Sequence, residues 1–294
     1  MVKKKITTGL ISVLIPVLTW GAQAAAEKNP APAYAALTGS GLALDYEIYL
    51  GGLHAGSLSV SLKTENGGHN YLMQATTRTR GAIDFFVGFL SKARTSGLIA
   101  GNARPSPLRH RTDNIWRGDK RFVDNTYLRD GRVKNRHFPS AEADDRDPVP
   151  PELQRNTVDP LTASLRLAIA AGEGCTAIVA VFDGRRRYNL RQSPAPKAQK
   201  RISGPVFKGE ARPCRIALER ITGFSRRPWY DPGDDAEEVT MWYAPLIDGL
   251  PPVPVRLEAA AGPATTLIHL TGIRLEGETV RIAGFSPASD ADNQ

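Results

Sequence analysis

Residues that build metal centres and nucleophilic sites are scarce in this chain. It has two cysteines and five histidines among 294 residues. Cys175 and Cys214 stand too far apart for a metal knuckle, and none of His54, His69, His110, His137 and His269 falls at ligand spacing. No metal and no other cofactor are expected. The G-x-S-x-G elbow, the phosphate-binding loop, the dinucleotide fingerprint and H-E-x-x-H are all missing, which ranks an enzyme last among the functional readings. Beyond Trp20 no apolar run approaches the roughly 20 residues of a membrane-spanning helix. Basic residues outnumber acidic ones, 38 to 30, yet they are dispersed instead of gathered among aromatics, so nucleic acid is not an expected partner. The densest cluster, Arg185-Arg186-Arg187, reads as the solvated end of a hairpin.

What is present speaks first at the N-terminus. Lys3, Lys4 and Lys5 precede a largely apolar run from Ile6 to Trp20, and Ala22-Gln23-Ala24 supplies a small-x-small cleavage pattern. Residues 1–24 therefore read as a cleaved export signal, and with no cysteine after the small residues no lipid anchor is expected. Without the three signal lysines the chain keeps 35 basic and 30 acidic residues, a mildly basic balance. In an oxidising compartment a lone cysteine pair favours a Cys175–Cys214 disulfide over two buried, unpaired thiols. The chain-entropy model puts such a bridge at about 4 kcal/mol.

Residues 25–41 are rich in Pro and Ala at their start and read as a flexible linker. Leu42, Leu44, Tyr46, Ile48 and Leu50 then alternate with other residues, which places Asp45 and Glu47 on the solvent face of a first strand. Leu58, Val60 and Leu62 resume the alternation after an irregular turn spanning Gly51 to Gly56, and Asn66-Gly67-Gly68 turns the chain into a third strand through Tyr71, Met73 and Ala75. From Gly81 to Ala93 the period changes: Ile83, Phe86, Val87 and Leu90 recur at helical spacing, with Phe85 and Phe89 flanking. A helix so apolar all round must be buried or must cover something apolar. Hairpin turns are expected at Arg117-Gly118-Asp119, at Arg129-Asp130-Gly131-Arg132 and at Asp183-Gly184.

Ala141 to Leu153 is acidic and Pro-rich, an exposed loop. It leads to Asp159-Pro160, an N-cap followed by Pro at the first helical position. The stripe Leu161, Leu165, Ala168 and Ile169 follows, and Gly172 and Gly174 end it. The acidic run from Asp231 to Glu238 lacks the spaced ligands of a calcium loop and reads as a solvated turn. Strand candidates continue to Val280–Ile282. A sheet of at least a dozen strands cannot stay flat and open. The fold class is therefore mainly β: one large curved antiparallel sheet forming a partly open β-barrel over residues 42–285, with two short helices and a disordered tail at 286–294.

Several phrases together resemble a family of secreted Gram-negative envelope proteins known as Domain of Unknown Function 3108. They are Tyr46-Glu47-Ile48-Tyr49 with Gly51, Gly52 and Gly56, Val158-Asp159-Pro160-Leu161-Thr162-Ala163, Phe182-Asp183-Gly184-Arg185-Arg186-Arg187-Tyr188, Met241-Trp242-Tyr243, and Pro252-Val253-Pro254-Val255-Arg256-Leu257. The resemblance carries no assigned activity. It implies a periplasmic, partly open barrel similar to the lipoprotein carriers, whose curved sheet encloses an apolar cavity partly covered by helices.

The expectation is a non-enzymatic periplasmic protein of cell-envelope maintenance that holds an acyl chain, a lipid or an apolar peptide segment in its concave face. Lipids, lipoproteins and envelope proteins are the corresponding partners. An assembly scaffold with a self-filled core is the alternative, and an envelope hydrolase ranks below both. Candidate cavity residues are Phe85, Phe86, Phe89, Leu90, Trp116 and Trp242, with the first helix as lid. Trp116, Trp229 and Trp242 count as ligand contacts only if they line an accessible cavity, and as core otherwise.

Overall fold

A computed structural model describes residues 41–99, 104–141, 143, 146–198, 200–226, 238–261 and 264–275. The expected signal 1–24, the linker up to residue 40, Trp229, the acidic run up to residue 237, the strand at 280–282 and the tail lie outside the described residues. The first half of the described chain contains β1 (Gly41–Leu50), β2 (Leu53–Glu65), β3 (Asn70–Thr79), α1 (Gly81–Val87), β4 (Phe89–Ile99), β5 (Pro105–Trp116), β6 (Asp119–Tyr127) and β7 (Val133–Phe138). Then follow α2 (Pro151–Gln154), α3 (Pro160–Gly172), β8 (Ala177–Phe182), β9 (Arg187–Pro194), β10 (Arg201–Ser203), β11 (Lys208–Glu210) and β12 (Arg212–Thr222), and finally β13 (Glu238–Ala244), β14 (Val253–Ala261) and β15 (Ala264–Leu275).

Thirteen strands form one sheet in the order β7-β6-β5-β4-β3-β2-β1-β15-β14-β13-β12-β9-β8, while β10 and β11 pair separately. Every described ladder is antiparallel; most join consecutive strands, while β1–β15 and β9–β12 pair across longer stretches of chain. Side-chain alternation sets the register. Leu44 of β1 stands opposite Val60 of β2 and Ile273 of β15, so one apolar row runs across three strands. The concave side of that row receives α3, whose Ala163, Leu165, Leu167, Ala168, Ala170 and Ala171 are all buried.

The sheet is not closed by a ladder, for β7 and β8 are its two ends. Side chains make the join. Asn125 and Tyr127 of β6 both donate to the Phe182 carbonyl of β8 at 3.4 Å, and Arg185 donates to the carbonyls of Phe138 at 2.6 Å and Pro139 at 3.2 Å. The open edge of β8 is occupied by Val158, which bridges Val181 in parallel. The result is a partly open barrel whose seam is bridged by side chains.

Local chemistry corrects several sequence expectations. The first helix stops at Val87, not Ala93, because Gly88 adopts a left-handed conformation (φ 51°) and returns its N–H to the Asp84 carbonyl. From Phe89 onward the chain is β4, with Leu90 opposite Arg78 and Ile115; Leu90 thus only mimicked a helical position. The first hairpin turns on Gly51 and Gly52 alone, both at positive φ. Gly56 is instead within β2, where a Cβ would lie 2.4 Å from the Arg78 carbonyl oxygen. The loop after β7 contains the single turn α2. Arg185, Arg186 and Arg187 are not a solvated cluster: besides the Arg185 bonds, Arg186 donates to Asp183 at 2.8 Å and Arg187 to the Leu153 carbonyl at 3.1 Å.

An apolar cavity beneath the third helix

A strongly apolar cavity of ≈ 240 Å³ lies between α3 and the concave face of the sheet. Leu42, Leu44 and Tyr46 of β1 and Leu58, Val60 and Leu62 of β2 line one side, because alternate residues of paired strands share a face. Met73 and Ala75 of β3 extend that wall, Leu161, Leu165 and Ala168 of α3 form the roof, and Met241, Tyr243, Leu257 and Ile268 close the far side. Ser164 also lines the cavity and is exposed, so the space meets solvent at the first turns of α3. Leu58, Val60, Leu257 and Ile268 are only half-buried although they point inward.

Polar chemistry inside is sparse and already used. The Tyr46 hydroxyl donates to the Pro254 carbonyl at 3.0 Å, and burial pushes the Tyr46 and Tyr243 phenols up, so both remain neutral. The cavity therefore offers dispersion and desolvation and little hydrogen bonding. It is larger than the roughly 150 Å³ apolar cavity that takes up benzene and slightly below the roughly 300 to 1,000 Å³ of drug-sized pockets. A single flexible chain fits such a space; a whole diacyl lipid does not.

A buried polar network fixes the roof. Asp159 caps α3, its Oδ1 accepting from the Leu161 and Thr162 amides at 2.9 and 3.1 Å. The same carboxylate accepts the Thr95 hydroxyl at 2.7 Å and the Thr162 hydroxyl, and His110 Nδ1 lies 3.2 Å away. Thr112 Oγ1 meets His110 Nε2 at 2.8 Å, and Tyr71 meets Thr162 at 2.6 Å. Burial alone would push the Asp159 carboxyl up, but the hydrogen bond and attraction from His110, with the Thr162 and Thr95 bonds, hold it below the usual carboxylate range. Hydroxyl, imidazole and carboxylate are thus in line, yet His110 and Asp159 are 2% and 0% exposed and neither they nor Thr112 line the cavity. The network's evident work is to anchor α3 to β3, β4 and β5. Sequence reading found the cap at Asp159 but not His110, Thr95 or Tyr71, since partners 64 and 91 residues away in the chain leave no local signal.

None of the six expected cavity residues lines this space. Phe85 and Phe86 stand in solvent on α1, 88% and 65% exposed. Phe89 and Leu90 begin β4, where the Phe89 ring meets Trp116 edge-on at 6.3 Å. Trp242 is buried, but between Met241 and Tyr243 it faces the other side of the sheet. There it lies beneath the β10–β11 hairpin with the Arg256 guanidinium 5.6 Å from its ring centroid. The roof is α3, not α1. Cys175 and Cys214 are joined by a disulfide with Cα atoms 5.6 Å apart, tying the end of α3 to β12. Among the described residues no cluster of three or more His, Cys, Asp or Glu side chains is placed to hold a metal ion.

A family model described as "Protein of unknown function (DUF3108)" matches residues 45–268. No curated protein matches the chain. Among solved structures, the chain is similar to a beta-barrel-like protein of domain of unknown function DUF1849 from Brucella abortus. The identity is 12% and the TM-score 0.44, over 80% of this chain and 97% of that one.

Proposed function

The chain belongs to the DUF3108 family of proteins of unknown function, and from that premise we propose that it is an exported, non-enzymatic protein that holds an acyl chain in the concave face of its sheet. One observation carries the reading: the inward-facing Leu58, Val60, Leu257 and Ile268 are left half-buried around a cavity that reaches solvent beside Ser164. Apolar side chains on a concave face gain from cover, and each methylene transferred onto them contributes about 0.8 kcal/mol. The sparse polar lining suits a ligand whose recognised part is a hydrocarbon chain. Export is supported by the lysine-led apolar segment before Ala24 and by the Cys175–Cys214 bond, which suits an oxidising compartment.

The test is uptake of a fluorescent fatty-acid analogue, together with mass spectrometry of lipids extracted from the purified protein. Ala75 lines the cavity from β3, so Ala75→Trp places an indole in the space the chain would take. Uptake is expected to weaken about tenfold or more, the equivalent of roughly 1.4 kcal/mol, with the fold retained. Failure of the unmutated protein to bind any acyl probe, with no lipid extracted, overturns the proposal in favour of a scaffold.

A further inference from the structure

α1 presents an apolar surface that the fold does not use. None of its residues is buried, and Phe85 and Phe86, 88% and 65% exposed, meet edge-to-face with 5.2 Å between centroids. The helix is nonetheless held in place. Arg80 N–H bonds the Ala55 carbonyl at 2.9 Å, Arg117 Nε donates to the Phe86 carbonyl at 3.1 Å, and Gly88 caps the C-terminal end. It sits at the turn between β3 and β4, and Leu53, 66% exposed, stands at the neighbouring turn between β1 and β2. A hydrogen-bonded backbone and solvent-facing phenyl rings together describe a presented surface.

The charge behind this apex is positive. Arg78, Arg80, Arg117 and Lys120 are exposed around it, against Asp84 and Asp119, and the Asp84 carboxylate accepts the Thr79 hydroxyl. Arg78 of β3 and Lys120 of β6 stand in one cross-strand row on the same face, with Leu90 and Ile115 between them, so cations flank an apolar centre. We infer that the α1 apex is a docking surface for an anionic lipid bilayer: Phe85, Phe86 and Leu53 enter the interface while Arg78, Arg80, Arg117 and Lys120 meet the headgroups. A projecting tip with aromatic residues outermost and cations set behind them matches the layering of a bilayer surface, apolar within and anionic without. The inference does not depend on what the cavity holds.

Flotation of the full protein with phosphatidylglycerol–phosphatidylcholine vesicles tests it. The protein is expected to float with these vesicles and several-fold less with phosphatidylcholine alone or in high salt. Phe85→Ser with Phe86→Ser removes both phenyl groups from solvent-exposed positions, so the melting temperature stays unchanged while vesicle affinity falls by about tenfold for each ring. Arg78→Gln with Lys120→Gln weakens binding to the anionic vesicles and reduces its salt dependence. Ala75→Trp floats like the unmutated protein, which separates this surface from the cavity. Absence of flotation overturns the inference, as does flotation unchanged by the double phenylalanine substitution, which would reveal charge adsorption alone.

Discussion

Asp159 serves two structures at once, as the cap of α3 and as the acceptor for Thr95, Thr162 and His110 in a site with no solvent exposure. A cap alone is worth about 1 kcal/mol. Removing a buried charged acceptor also strands its donors, so Asp159→Ala is expected to cost about 3 to 5 kcal/mol, measured by chemical denaturation at neutral pH. Because the folded protein holds the carboxyl below its ordinary value, its contribution is fully present above the unfolded pKa of about 3.9 and is lost as pH falls through the folded value. Asp159→Asn should therefore flatten the acid limb of the stability curve below about pH 4. An unchanged acid limb would show that other carboxylates dominate it.

The two longer helices differ in what surrounds them, although both read as apolar in sequence. α3 is clamped at its start by the Asp159 network and at its end by the Cys175–Cys214 bond, so the roof of the cavity cannot lift without breaking one of them. Cys175→Ser is expected to lower stability by about 2 to 5 kcal/mol and to raise proteolysis near residue 175, both read from reduced and oxidised samples side by side. Legibility followed locality here. The Asp-Pro start, the alternating strands and the Gly-containing turns declare themselves within a few residues. The spacing of Ile83, Phe86, Val87 and Leu90 did not reveal that Leu90 belongs to a strand, because Gly88 ends the helix through a backbone conformation that periodicity does not encode. Nor did it reveal that α1 stays exposed, since apolar content says that a surface gains from cover and not what supplies it.

At the scale of the molecule, the seam decides the architecture. Phe182 accepts from Asn125 and Tyr127, and Arg185 reaches the carbonyls of Phe138 and Pro139 at the end of β7, so a few side chains hold what a ladder would hold in a closed barrel. Arg185→Ala is expected to speed amide hydrogen exchange in β7 and β8 while leaving β1 and β15, at the centre of the sheet, protected. Uniform acceleration across all strands would mean that the seam is not a separate opening unit. The sequence by itself determined the strand-rich class, most turns, the cap at Asp159 and the pairing of its only two cysteines, because each depends on neighbours in the chain or on composition. Only the tertiary structure decided which helix roofs the cavity, that Trp242 lies on the opposite face from it, and how the sheet ends meet. Those outcomes depend on contacts between segments far apart in sequence, and such contacts are set by the curvature of the whole sheet.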